Sequence, residues 1–107
     1  LLAMPEGSML NFLLGRRNPT PYLLFMPEDF LLFGGEDAVV ARLESAAPDF
    51  VALHYRETRE FGVGRFGSPG YGALVLDWVR SRYVQVGRVG ADPMTDPRFG
   101  IALWRRR

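Results

Sequence analysis

Cysteine and lysine are both missing from this chain of 107 residues, and histidine occurs once, at His54. Without thiols the chain has no disulfide, no thiolate nucleophile and no cysteine metal site, and its redox compartment cannot be read from its composition. One histidine excludes a histidine metal cluster, and Asp92-Pro93-Met94-Thr95-Asp96 lacks the spacing of an EF-hand loop, so no metal or other cofactor is expected. Long apolar runs are missing as well. A stretch such as Tyr22 to Met26 is far short of the roughly 20 residues that cross a bilayer. A strong charge of one sign is also lacking: the formal net charge is +1, which exerts no overall pull toward nucleic acid, and no nucleic-acid partner is expected. The start, Leu1-Leu2-Ala3-Met4-Pro5, has neither an initiator methionine nor the basic leader of a signal peptide. It reads as a cut made inside a longer chain.

What is present is the composition of a globular domain, 48% hydrophobic and 23% charged, with eight Phe, four Tyr and two Trp. The apolar run Leu1 to Met4 predicts a strand, and Ser8 to Leu14 a short helix stopped by Gly15. Asn18-Pro19 and Thr20-Pro21 enforce a loop, because each proline lacks an amide donor and restricts the residue before it. Tyr22 to Phe33 is apolar but broken by Pro27-Glu28-Asp29, and is read as a covering segment with a helical turn. Val39, Val40 and Leu43 form the apolar stripe of a helix over Glu36 to Ala46, closed by Pro48. Phe50 to Tyr55 predicts a buried strand, and Tyr71, Leu74, Val75, Trp78 and Val79 mark a helix over Tyr71 to Tyr83. Val84 to Val89 and Phe99 to Trp104 predict two strands around a loop holding Asp92-Pro93 and Asp96-Pro97. Two successive strand, helix, strand passages favour parallel pairing. The expected fold is therefore a single soluble α/β domain over residues 1–107, with a small, mainly parallel sheet, two or three covering helices and a C-terminal antiparallel hairpin.

Three sets of residues are candidates for chemistry. Gly62-Val63-Gly64-Arg65-Phe66-Gly67 matches the glycine spacing of a dinucleotide-binding turn, but Arg56 to Phe61 separates it from the preceding strand and Ser68-Pro69-Gly70 from the following helix. Gly87 and Arg88 stand about twenty residues on, where an acidic ribose ligand is required. A flexible glycine loop is the better reading. Beside it, His54, Arg56, Glu57, Arg59 and Arg65 form a candidate ligand loop at the carboxyl end of a strand, where open α/β sheets bind ligands. Glu57 or Glu60 could act as a base there, and Arg56, Arg59 or Arg65 could hold a phosphate. The alternative is a solvated loop with weak surface ion pairs. No Ser, Asp and His set surrounds His54, so a structural role outweighs catalysis for it and no catalytic residue is assigned. Arg16-Arg17 and Arg105-Arg106-Arg107 are basic enough to meet lipid headgroups, but a basic patch holds a bilayer only beside a second, apolar signal.

Several segments in order, Met4-Pro5-Glu6-Gly7-Ser8-Met9-Leu10-Asn11-Phe12-Leu13, Asn18-Pro19-Thr20-Pro21-Tyr22 with Phe25-Met26-Pro27, Tyr71-Gly72 with Asp77-Trp78-Val79, and Asp96-Pro97-Arg98-Phe99-Gly100-Ile101, resemble the C-terminal region of bacterial multi-span glycosyltransferases. That family is the dolichyl-phosphate-mannose protein mannosyltransferase-like group. The resemblance implies a non-catalytic accessory domain on the extracytoplasmic, periplasmic side, anchored through the rest of its chain. The parent enzyme would transfer sugar from a lipid-phosphate carrier using an acid in a loop between early membrane spans, outside this chain. The implied partners are the transmembrane part of the same chain and lipid headgroups or the lipid-linked sugar. Pro5, Glu6, Gly7 and Asn11 sit in the most recognisable motif and would lie near the membrane. An acceptor-contact role for them and a purely conformational strand-to-helix turn remain equally open. Two other readings stand beside this one: a free-standing domain that binds a nucleotide or phosphate ligand at His54 to Gly67, and an interaction module using exposed apolar residues of Tyr22 to Phe33.

Overall fold

The computed structural model describes residues 1–5, 12–18, 25, 27–55, 64–96 and 98–107. In chain order the elements are β1 (Leu2–Met4), α1 (Pro27–Leu32), α2 (Glu36–Ala46), β2 (Phe50–His54), α3 (Ala73–Arg82), β3 (Tyr83–Gly90) and β4 (Gly100–Arg106), with a helical turn at residues 12–14. The four strands form one mixed sheet in the order β1-β2-β4-β3. β1 pairs with β2 in parallel, whereas β2 with β4 and β3 with β4 are antiparallel.

The expectation of a mainly parallel sheet is corrected by this order. The strands β1, β2 and β3 do share one direction, as the strand, helix, strand passages require. The last strand, β4, inserts between β2 and β3 and runs against both, so among the described strands only the β1–β2 ladder is parallel. The C-terminal hairpin is present, with a register shift between Gln85 and Gly87. Gly100 makes this hairpin possible, because a Cβ there would lie 1.7 Å from the carbonyl oxygen of Ala91. Strand β4 also runs two residues beyond its expected end at Trp104. The amide of Arg106 donates to Asp49 O at 2.9 Å and that of Arg107 to Arg82 O at 3.0 Å, so the arginine tail is tied to the sheet.

Alternation along the strands gives the sheet two unlike faces. Leu2, Met4, Val51 and Leu53 point to one face and meet Val39 and Leu43 of α2 and Val75 and Val79 of α3, all essentially inaccessible to solvent. Leu1, Ala3 and Ala52 belong to a second cluster, on which Phe50, Ile101 and Leu103 pack. The helices α2 and α3 lie side by side in the same direction, shown by contacts at both ends. At the first end, Glu36 Oε1 accepts the amide of Leu74 at 3.2 Å. Gly72, the residue before α3, has no side chain to cap that helix, so a carboxylate from α2 takes one of its free amides. At the other end, Glu44 accepts from Trp78 Nε1 and from Arg82 Nε, the latter at 3.1 Å. The hydrogen bond from Trp78, then that from Arg82, holds the Glu44 carboxyl below its ordinary range.

Helix α1 begins at Pro27, a first-turn position where a missing amide costs nothing and φ is already helical. The proline that looked like a breaker is thus a helix start. The described apolar residues of this segment divide. Phe25 and Phe30 are buried in an aromatic cluster with Phe66 and Tyr71, ring centroids 5.4 to 6.4 Å apart. Leu32 is exposed.

Candidate functional site at the carboxyl end of the sheet

The shared direction of β1, β2 and β3 collects their carboxyl ends at one end of the sheet, together with the start of β4. Two of the sequence candidates meet there: Pro5 follows Met4 and His54 follows Leu53, and Met4 and Leu53 are register partners. His54 is 9% exposed, pairs with Ile101 across the ladder and has its ring 6.3 Å from that of Phe99. Glu6, Gly7, Asn11, Arg56, Glu57 and Arg59 lie outside the described residues.

Arg65 is the described member of the ligand loop on the far side of His54. Its guanidinium lies 4.8 Å from the centre of the Tyr55 ring and donates through Nη1 to the carbonyl of Pro93 at 2.9 Å. One cation therefore links the end of β2, the 64–67 turn and the β3–β4 loop. Neither contact was visible in the sequence, since Tyr55, Arg65 and Pro93 share no periodicity and meet only through strand order.

The glycines of the 62–67 motif that are described have packing reasons. Gly67 has a φ of 96°, and a Cβ on it would lie 2.5 Å from Leu76 Cδ2. The amide of Gly67 donates to Tyr71 O at 2.8 Å, and the amide of Tyr71 to Ser68 O at 2.9 Å, which closes a compact turn ahead of α3. Gly72 makes room for the Phe66 ring in the same way, at 2.5 Å.

The β3–β4 loop borders a cavity of about 460 Å³ lined by Arg88, Asp92, Asp96, Arg98 and Phe99 among others. Its carboxylates are occupied locally. Asp92 Oδ1 accepts the amide of Met94 at 2.9 Å, an Asx turn, and Asp96 takes the Arg98 side chain at 3.0 and 2.7 Å and its amide at 2.9 Å. The Arg98 side chain, then its amide, lowers the Asp96 carboxyl to about 2. Among the described residues no group of three or more His, Asp or Glu is arranged to hold a metal ion.

Comparison with family models, with curated proteins and with solved structures finds no match. The functional reading therefore rests on the residues and their arrangement.

Proposed function

We propose that this chain is a non-catalytic accessory domain of a membrane glycosyltransferase that uses a lipid-phosphate-linked sugar, held on the extracytoplasmic side beside the transmembrane part of the same protein. What supports the reading is the way the segments that carry the resemblance meet. The amide of Phe25 donates to Pro5 O at 2.6 Å, and the Tyr71 hydroxyl donates to Phe25 O at 2.6 Å. Three segments separated by 20 and 46 residues are thus joined by two hydrogen bonds. The fourth, through Gly100 and Ile101, pairs with the end of β2 beside them.

The test is fractionation of native extracts with an antibody raised against the purified chain. The expected result is a membrane band several times larger than 12.1 kDa. A band near 12.1 kDa in the soluble fraction overturns the proposal. In the intact protein, Glu6→Gln and Asn11→Ala are expected to reduce glycosyl transfer at unchanged abundance; unchanged transfer would remove the motif from function.

A second reading, a phosphate-ligand domain, draws on Arg65 and its fixed guanidinium. It predicts saturable protection against heating by phosphorylated ligands, and loses its support if a broad panel leaves melting unchanged.

A further inference from the structure

The helical turn at residues 12–14 exposes three consecutive large apolar side chains: Phe12 is 80% accessible, Leu13 69% and Leu14 63%. The amide of Gly15 closes the turn on Phe12 O at 3.2 Å, and Gly15, at a φ of 65°, ends it. Arg16 and Arg17 follow, both exposed. The Arg16 guanidinium lies 5.2 Å from the Phe50 ring centre. Behind the turn, Leu1, Leu14, Arg16, Phe50 and Leu103 line an open apolar cavity of about 170 Å³ on the second face of the sheet. Arg16 and Leu1 also border a cleft of about 400 Å³ whose described lining contains Arg17 and one acid, Asp49, 3.8 Å from Arg16. Arg105 faces Phe50 across the β2–β4 ladder and so adds a cation to the same sheet face.

We infer that Phe12, Leu13 and Leu14, with Arg16, Arg17 and Arg105 behind them, form a docking surface for an anionic lipid bilayer. Two features select a bilayer. Successive residues on a helical turn diverge by about 100°, so the three side chains point different ways; fluid acyl chains can close around such a protruding turn, where a rigid protein would need a matching socket. The adjoining cations outnumber the acid, which complements phosphate headgroups; their aliphatic stems can lie along apolar surface while the charges reach the headgroups. Stable bilayer binding takes two signals, such as an apolar insertion and a basic patch, and this turn supplies the first directly beside the second. The inference stands on this geometry and does not rest on the glycosyltransferase reading.

The test is sedimentation of the 107-residue chain with phosphatidylcholine vesicles, with and without phosphatidylglycerol, at low and high salt. Binding is expected only to the mixed vesicles and is weakened by salt. The triple variant Phe12→Ser, Leu13→Ser, Leu14→Ser and the double variant Arg16→Gln, Arg17→Gln are each expected to lower the partition about tenfold or more. Leu32→Ser, exposed on α1, leaves it unchanged. Melting curves check folding, and Arg17→Gln alone replaces the double variant if loss of the Arg16 contact to Phe50 disturbs the fold. Three results overturn the inference: no binding to the mixed vesicles, binding that survives both sets of variants, or self-association in solution that the triple variant abolishes while vesicles are ignored. None of these bears on the size and fractionation of the native protein, so the two proposals fail separately.

Discussion

Replacing Tyr83 by Phe removes one oxygen from the interior and should reveal how a buried phenol couples stability to alkaline pH. Tyr83 is 1% exposed, its ring meets Trp78 edge-on at 5.2 Å, and its hydroxyl donates to Pro48 O at 2.5 Å. Phenylalanine keeps the ring contact and loses the hydrogen bond, so at neutral pH the variant should be less stable by about 1–2 kcal/mol. For a chain of this size that lowers Tm by about 4 °C or more. Burial pushes the phenol up from 10.0 to about 12, against a partly compensating pull from Arg106. A folded-state pKa above the unfolded one contributes stability that is complete below pH 10 and lost as pH rises through about 12. Two units correspond to at most about 2.7 kcal/mol, and relaxation and water entry reduce this to about 1–2 kcal/mol. Urea melts of both proteins at intervals from pH 8 to 12 measure the effect. The other tyrosines titrate in both, so the difference isolates Tyr83. The wild-type advantage should shrink by that amount as pH rises. Parallel curves, or equal stability at neutral pH, would refute the argument.

Gly100→Ala should destabilise by about 2–3 kcal/mol or more, since its Cβ meets backbone atoms of Ala91 that cannot turn aside. Gly87→Ala on the neighbouring strand, with nothing within 4 Å, should change stability by less than about 1 kcal/mol in either direction; equal losses in denaturant melts would discredit the steric account. Ala47 closes α2 in the left-handed region at a φ of 46°, so Ala47→Gly should raise stability by about 0.5–1 kcal/mol, and a lowered Tm would contradict it. Asp96 is held at about 2 by Arg98, so its contribution is present above 3.8 and is lost as pH falls through 2. Asp96→Asn should therefore remove part of the acid sensitivity in that window, and a carboxyl titration by NMR with a midpoint near 3.8 would show the pair to be ineffective.

Local pattern carried the elements well. The stripe through Val39 and Leu43 and the one through Val75 and Val79 placed α2 and α3 because each repeats an apolar contact every three or four residues. The strands were legible from the same burial, and β1, β2 and β3 do run in one direction. The place of β4 was not legible, because insertion between β2 and β3 is decided by pairing across the whole chain. Pro27 misled for the opposite reason: its effect depends on whether it is first in a helix or inside one. At the candidate site, His54 was singled out by its place at a strand end and Pro5 by the motif that carries the resemblance. The Tyr55, Arg65 and Pro93 junction was not, since it exists only once β4 has set the β3–β4 loop beside β2. The exposure of Phe12 to Leu14 escaped notice because an apolar run at helical spacing reads as core until its surroundings are known.

Because β4 is the strand that joins β2 to β3, synthesis on the ribosome leaves the sheet in two parts until residues 100–106 emerge. While residues 100–106 remain in the exit tunnel, β1 and β2 can pair, but the ladder partner of β3 and the second partner of β2 do not yet exist outside. Emergence of β4 therefore completes the sheet. A nascent chain stalled short of Gly100, or a message truncated there, presents two open strand edges to whatever chaperone or neighbouring chain reaches them first.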